Sequence, residues 1–249
     1  MDNYLSIITN FGCHYTCPYC IVKNNNIDIP KTTLGGLDKL VKNIHKYDCN
    51  WVSISGGGDP LYNYFTSNKW WNKLFDILPS DINLELHTSD LHPRESVSMH
   101  CDRIVYHCHK PEDLFKISKF YNVRHHGGQK TRAVFVVTED YTPKLIDEIT
   151  AIAKYSPNID ELSFRQMVDK NYQTTHYCED YLKAGHQKDW WYIEQNDYNI
   201  YYAENEVKFK YEDFCAGKLS ENATNNALHR DDIVDLSFDV KRWRYENGC

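Results

Sequence analysis

The chain has 249 residues, of which 41% are hydrophobic and 25% are charged, a composition typical of globular proteins. Its net charge is −7, which argues against tight binding to duplex nucleic acid, because such binding needs clustered Lys and Arg. The apolar runs are too short to cross a bilayer, and the amino terminus lacks a signal-peptide pattern, so no membrane partner is expected. Nine cysteines, an odd number, predict a reducing, cytoplasmic location with metal-binding or catalytic thiols.

Strand-like and helix-like patterns alternate through residues 1–170. The strand-like segments are 4–9, 51–55, 82–87, 103–107, 132–138 and 161–164. Apolar residues at helical spacing lie between them, at 37–44, 70–78, after Pro93, at 114–120 and at 145–153. Six alternating strands predict an α/β fold of βαβ units with a parallel sheet. Right-handed crossovers can curl that sheet into a partial (β/α)6 barrel that resembles a TIM barrel.

The alternation stops after Met167. Residues 171–249 are rich in aromatic side chains and hold 9 Lys and Arg against 15 Asp and Glu, without a clear periodicity. We therefore predict two regions, a partial barrel over 1–170 and an irregular, aromatic, acidic C-terminal extension over 171–249. The extension is expected to cap the barrel or the substrate site. Aromatic packing on an open sheet edge is the simpler alternative.

Three cysteines at a fixed spacing follow the first predicted strand directly. Cys13, Cys17 and Cys20 form a C-x3-C-x2-C pattern on a short loop. Three thiolates on such a loop can hold three irons of a [4Fe–4S] cluster and leave the fourth iron open to another ligand. Zinc is the alternative, but a structural zinc site prefers four protein ligands. His14 could supply the fourth, although its position beside Cys13 is awkward for a tetrahedral site.

A glycine-rich segment follows the second predicted strand. It reads Ser55-Gly56-Gly57-Gly58-Asp59-Pro60. Glycines at a strand end allow a ligand to approach the backbone closely, and Asp59 can accept hydrogen bonds from a cationic amine. A sharp turn into the next segment would explain the glycines equally well.

Together, in these positions, the two motifs resemble those of the radical SAM superfamily. Its members place a CxxxCxxC loop after the first barrel strand and a GGE-P-type motif after the second. Tyr19 stands before the last cysteine, as an aromatic residue usually does in the family. Asp59 replaces the usual Glu, which keeps the carboxylate but shortens its reach. The resemblance covers about residues 4 to 168.

The resemblance implies a [4Fe–4S] cluster on Cys13, Cys17 and Cys20, with S-adenosylmethionine (SAM) chelating the open iron. One electron, from a reductant of the flavodoxin or ferredoxin type, would cleave SAM to methionine and a 5′-deoxyadenosyl radical that removes hydrogen from the substrate. The residues expected to bind SAM or line its site lie at strand ends, as in (β/α) barrels. They are Tyr19 and Val136 with Thr138 near the adenine, Gly57, Gly58 and Asp59 near the methionine, and His107 and Arg165 at later strand ends.

The substrate is less defined by the sequence than the cofactors are. We expect a compact substrate, such as a nucleoside, nucleotide, base or other small metabolite. The alternatives are a peptide- or protein-modifying enzyme, which includes an activase that installs a glycyl radical, and a non-catalytic zinc or Fe–S module. Cys178, Cys215 and Cys249 could in principle serve a second cluster, but their spacing favours buried, inert thiols.

Overall fold

In the computed structural model, residues 3–13, 15–24, 27–168, 173–185, 190–193 and 200–214 are described. Runs of β-branched and aromatic residues form the strands, because such side chains pack well on a pleated surface. The strands are β1 (Tyr4–Thr9), β2 (Trp51–Gly56), β3 (Asn83–Thr88), β4 (Arg103–Cys108), β5 (Tyr121–Asn122), β6 (Gly127–Gly128), β7 (Lys130–Val137), β8 (Glu161–Gln166), β9 (Trp191–Ile193), β10 (Ile200–Ala203) and β11 (Glu206–Lys208).

The helices lie between successive strands, as βαβ units require. They are α1 (Ile21–Asn24), α2 (Leu40–Lys46), α3 (Tyr64–Ile77), α4 (Glu95–Ser98), α5 (Pro143–Tyr155) and α6 (Glu179–Gly185), with 3-10 turns at Gly35–Leu37, Pro111–Lys116 and Tyr211–Phe214. The helix predicted over 114–120 is wrong beyond Lys116, because the backbone of Ile117 is extended. No helix among the described residues is both long and apolar enough to span a membrane.

Nine strands form one sheet in the order β11-β10-β1-β2-β3-β4-β7-β8-β9. All neighbouring pairs are parallel except β10 and β11, which are antiparallel. The six strands predicted from the sequence are the consecutive central ones, β1 to β4, β7 and β8. The mostly parallel α/β fold is therefore confirmed.

The two faces of this sheet bury different side chains. Alternate strand residues such as Val52, Leu86 and Phe164 pack with α2, α3 and α5 into the main hydrophobic core. On the opposite face, Arg103 of β4 contacts Tyr4 of β1 and Glu161 of β8, neither of which is a neighbouring strand. Such contacts favour a sheet that curves toward this face. The partial (β/α)6 barrel itself remains a prediction.

The described parts of the extension continue the same sheet. β10 pairs with β1 at one edge and β9 pairs with β8 at the other. Trp190 packs edge-on against Phe164, and its Nε1 donates a 2.8 Å hydrogen bond to the Leu182 carbonyl. Aromatic packing at the sheet edges is thus present, while the capping of a substrate site remains a prediction. Cys215 and Cys249 lie outside the described residues.

Candidate functional site

The residues selected from the sequence gather at one edge of the sheet. Because β1, β2, β3, β4, β7 and β8 run parallel, their carboxyl ends meet along that edge. The cysteine loop follows β1, and the glycine segment begins at the end of β2. His107 stands near the end of β4, and Arg165 near the end of β8. Parallel strands therefore bring together motifs that are more than 100 residues apart in the chain.

The cysteine loop carries three free, half-buried thiols. A turn closes it, in which the Cys20 amide donates to the Cys17 carbonyl at 3.1 Å. The Lys23 amide lies 3.5 Å from Cys20 Sγ and donates to it. Burial, and then the charges of Cys20 and Cys13, raise the pKa of the Cys17 thiol. Cys13 and Cys20 are therefore close enough to Cys17 to disfavour its thiolate.

The environment of Cys17 allows a test of whether the residues fit an iron–sulfur cluster. Cationic iron bound to the loop would favour the Cys17 thiolate, which burial and the neighbouring thiols disfavour. The donor set and the partial exposure thus fit the cluster that the motif predicts. Among the described residues, no group of three or more His, Cys, Asp or Glu side chains has an arrangement that could hold a single metal ion.

His109 covers the cysteine loop from the side of β4. Its ring stacks between Tyr15 and Tyr19, with centroid distances of 6.0 and 6.1 Å. Its Nδ1 lies 2.9 Å from the Tyr19 hydroxyl, and its Nε2 lies 4.0 Å from Cys17 Sγ. Burial lowers the pKa of His109. The side chain of Tyr19 therefore holds the loop against β4, in addition to any contact that its backbone makes.

The glycine segment packs directly on the cysteine loop. The Asp59 amide donates to the Gly12 carbonyl at 3.0 Å. A Cβ atom on Gly58 would overlap that same carbonyl oxygen and would lie 3.3 Å from the Cβ of Cys13. A Cβ on Gly57 would overlap the side chain of Ile29. Glycine is required at position 58 because the two loops approach each other too closely there for any side chain, whereas at position 57 the flexible end of Ile29 would have to move.

Asp59 is buried, and its carboxylate already has several donors from the protein. The Thr88 hydroxyl lies 2.9 and 3.0 Å from the two carboxylate oxygens. The amides of Ser89 and Leu61 donate at 2.8 and 2.9 Å. Asp59 therefore joins the end of β2 to the end of β3. Its expected contact with the methionine amine of SAM remains a prediction.

The later candidates lie on neighbouring strands of the same edge. Val136 of β7 is paired in register with Arg165 of β8, and Thr138 follows β7 directly. His107 lies on the polar face. Burial, followed by the charges of His87 and Arg165, lowers its pKa well below the usual range. The structure brings these residues together, but their contacts with SAM remain predictions.

Sequence reasoning missed Glu85, which is central to the polar face. Its carboxylate accepts hydrogen bonds from Ser53, Arg103 and His87 at 3.1, 2.9 and 2.8 Å. The signal was available, because Glu85 and His87 occupy alternate positions of β3, between and beyond the apolar Leu84 and Leu86. A charged residue at such a position needs a partner on a neighbouring strand.

The chain matches no family model and no curated protein. It is similar to the crystal structure of Streptococcus suis SuiB bound to the precursor peptide SuiA. The identity is 13% and the TM-score 0.54, over 78% of this chain and 49% of SuiB. For SuiB bound to S-adenosylmethionine, the values are 13% and 0.51, over 78% of this chain and 48% of SuiB. The chain thus spans about half the length of these neighbours. At this identity the similarity shows a shared fold, and the α/β fold expected from the sequence is also that of a protein solved with S-adenosylmethionine.

Proposed function

We propose that this protein is a radical SAM enzyme. One observation carries the proposal: the three-thiol loop after β1 and the glycine segment after β2 are packed together, with Gly58 against the Gly12 carbonyl and Cys13. Two motifs that the sequence separates by 36 residues thus form one site. The fold similarity to a protein solved with S-adenosylmethionine supports the same conclusion.

In this proposal, Cys13, Cys17 and Cys20 hold a [4Fe–4S] cluster. When bound, the cluster and SAM supply a 5′-deoxyadenosyl radical after one electron arrives from a flavodoxin- or ferredoxin-type reductant. The rings of Tyr15, Tyr19 and His109 shield the loop from water on one side.

The remaining residues of the site would bind SAM from the strand ends. Gly57 and Gly58 leave room for the methionine moiety, while Asp59 fixes the loop through Thr88 and Ser89. The other contacts would come from later strand ends, among whose selected residues are His107, Val136, Thr138 and Arg165.

The first experiment is anaerobic reconstitution with iron and sulfide, followed by dithionite and SAM. We expect absorption near ~400 nm from the cluster and formation of 5′-deoxyadenosine, detected by mass spectrometry. Cys17→Ala should abolish both while the protein stays folded. Cys49→Ala, which removes a buried thiol far along the chain, should keep both. If the Cys17→Ala protein retains the absorption, the ligand assignment is wrong. If zinc alone is bound, the protein is a non-catalytic module.

For the substrate, we propose a peptide in preference to a compact metabolite. SuiB was solved with a precursor peptide, and this chain has its fold. In addition, Phe65 at the start of α3 is 73% exposed, and the Arg94 guanidinium lies 4.1 Å from its ring centroid. α3 begins just beyond the glycine segment, so in this proposal the exposed Phe65 contributes to the peptide-binding surface next to the site. Exposed aromatic and Arg side chains are frequent anchors in peptide and protein interfaces.

Deuterium transfer separates the two substrate classes. Mixtures of deuterated peptides and of deuterated nucleosides would each be incubated with the reconstituted protein, SAM and dithionite. We expect deuterium in 5′-deoxyadenosine only from the peptides, and a severalfold lower transfer for Phe65→Ser. Phe115→Ser is a matched control, because Phe115 is equally exposed but lines a cleft with Ile152 and Tyr155 of α5. Transfer only from the nucleosides would restore the compact-substrate hypothesis.

A further inference from the structure

Three titratable side chains form a line on the polar face of the sheet, from β3 to the carboxyl end of β4. His87 Nε2 lies 2.8 Å from Glu85 Oε1, and His87 Nδ1 lies 3.2 Å from His107 Nε2. Glu85 is buried, and the two histidines are half-buried. The cluster site described above uses neither Glu85 nor His87, so this line of contacts needs its own explanation.

The positions of the hydrogens follow from Glu85. Burial raises the pKa of Glu85, but the hydrogen bond from His87 and the charges of Arg103 and Arg132 favour the ionised carboxylate. A carboxylate can only accept hydrogen bonds, so His87 Nε2 carries a hydrogen. When His87 is neutral, its Nδ1 accepts a hydrogen bond from His107 Nε2. The lone pair of His107 then lies on Nδ1.

His107 Nδ1 has no hydrogen-bond partner in the described part of the chain. His107 is the next-to-last residue of β4, so it lies near the carboxyl ends of the strands, as the cysteine loop and Arg165 also do. Burial and the neighbouring charges of His87, Arg165 and His109 lower its pKa well below the usual range. The hydrogen bond between His107 Nε2 and His87 Nδ1 offers a path for a proton to the ring that contacts Glu85.

We propose that His107, His87 and Glu85 form a proton relay that accepts a proton from an N–H or O–H group of the bound substrate. The proton binds His107 Nδ1, and the hydrogen on His107 Nε2 moves to His87 Nδ1. His87 becomes an imidazolium paired with the Glu85 carboxylate, and the substrate is left one proton poorer. No electron moves in this step. The inference rests on the proposed function, because a substrate must occupy the site beside His107.

Other ionisable groups face the relay and set its resting state. Arg103 Nη1 donates to Glu85 Oε2 at 2.9 Å, which favours the carboxylate without adding a second acceptor for the proton. The groups that face the relay from neighbouring strands and loops are Tyr4, Arg103, Arg132, Glu161, Arg165 and His109. Arg103, Arg132 and Arg165 among them are cationic, and Glu85 is in direct contact with His87 at 2.8 Å.

The test is ¹⁵N NMR of the full chain with labelled histidine, recorded between about pH 5 and 8.5 without cluster or SAM. His87→Gln and His107→Gln would serve only to assign the signals. We expect a ¹⁵N–¹⁵N coupling across the His107 Nε2 to His87 Nδ1 hydrogen bond. At high pH, His107 Nδ1 should be the unprotonated nitrogen, and the first proton that the pair takes up should appear on His87. Absence of the coupling, or first uptake on His107, would overturn the relay.

Two isosteric variants test the part played by the carboxylate. Glu85→Gln should lower the proton affinity of the histidine pair at least tenfold, since an opposite charge in contact shifts such equilibria by about 1–3 pH units. Glu161→Gln removes an equally buried carboxylate that binds Arg103 and Arg132 but neither histidine, and should change the affinity less than threefold. Equal effects of the two variants would contradict the relay.

The outcome of this test can be distinguished from the outcome of the test of the proposed function. If Glu85→Gln does not fold, the coupling in the wild-type protein decides. An intact relay in a protein that never forms 5′-deoxyadenosine would overturn the radical mechanism alone. Formation of 5′-deoxyadenosine by a protein without the coupling would overturn the relay alone.

Discussion

The two faces of the central sheet are buried to a similar degree but are made of opposite chemistry. On the face that the helices cover, Leu84, Leu86 and Ile104 are completely buried. On the other face, Ser53, Glu85 and Arg103, which alternate with such residues along the same strands, are 0%, 1% and 6% exposed. Apolar burial stabilises the fold through the area removed from water. Burying polar groups stabilises little and costs free energy wherever a group lacks a partner.

The comparison shows why the polar face is joined into one network. Each buried charge has an opposite charge within reach: Glu85 with Arg103, and Glu161 with Arg103 and Arg132. A face built only for stability could be apolar, as the helix-covered face is. The polar face leads to the edge that holds the cysteine loop, which indicates that it is kept for chemistry at the site.

Among the variants that test this difference between the two faces, Leu86→Ala is expected to change the free energy of unfolding most. Leu86 is paired in register with Ile54 and Ile104 and is completely buried, so its truncation leaves a cavity in the main core. We expect the free energy of unfolding to fall by about 2–5 kcal/mol in urea denaturation. Ser55→Ala, which removes a 3.0 Å hydrogen bond to Ser6 on the polar face, should cost about 1 kcal/mol. Equal losses from the two variants would contradict the division between the faces.

A smaller effect on stability, but a direct one on the site, is expected from Gly58→Ala. The new Cβ would overlap the Gly12 carbonyl, so the loop that carries Cys13 must move. We expect a loss of about 1–3 kcal/mol and less than half the iron bound per chain after reconstitution. Gly128→Ala is the control, because nothing lies within 4 Å of a Cβ at that position. A Gly58→Ala protein with the wild-type iron content would show that the two loops need no close contact.

The sequence predicts the helix-covered face better than the polar face. The bounds of all six central strands are predicted within two residues, since strands that are apolar on one face or both give a local signal. The cysteine and glycine motifs are equally local, and the strand ends at which they lie are correct.

What the sequence does not predict depends on long-range pairing. The strands β9, β10 and β11 are short, and β10 pairs with β1 almost 200 residues earlier in the chain. The contact of Glu85 with Arg103 also depends on which strands become neighbours, and no local pattern contains that information, whereas its contact with His87 lies within β3. The fourth predicted helix ends early because Pro111 and Ile117 bound a single 3-10 segment.

The smallest predicted effect is on the pH dependence of stability. It concerns two histidines at the amino end of the sheet, one in apolar and one in polar surroundings. His100 stacks on Phe75 at a centroid distance of 4.1 Å, and burial, followed by the charge of Arg124, lowers its pKa. The unfolded chain then binds the proton more readily than the folded chain does. His100 therefore contributes stability above about pH 6.5, the unfolded value, and that contribution is lost as the pH falls toward the folded pKa.

His125 lies in polar surroundings and should have the opposite sign. Its hydrogen bonds to the Ser80 carbonyl and to Asp102 raise its pKa, so its contribution is complete below about pH 6.5 and is lost as the pH rises through the folded value. Urea denaturation at pH 5.5 and pH 8 measures the contributions of both histidines to the free energy of unfolding. Relative to the wild-type protein, His100→Gln should lose less stability on acidification and His125→Gln should lose more. If the loss of stability on acidification changes in the same direction in both variants, the apolar or polar environment of a histidine does not determine how that histidine contributes to the stability of this fold.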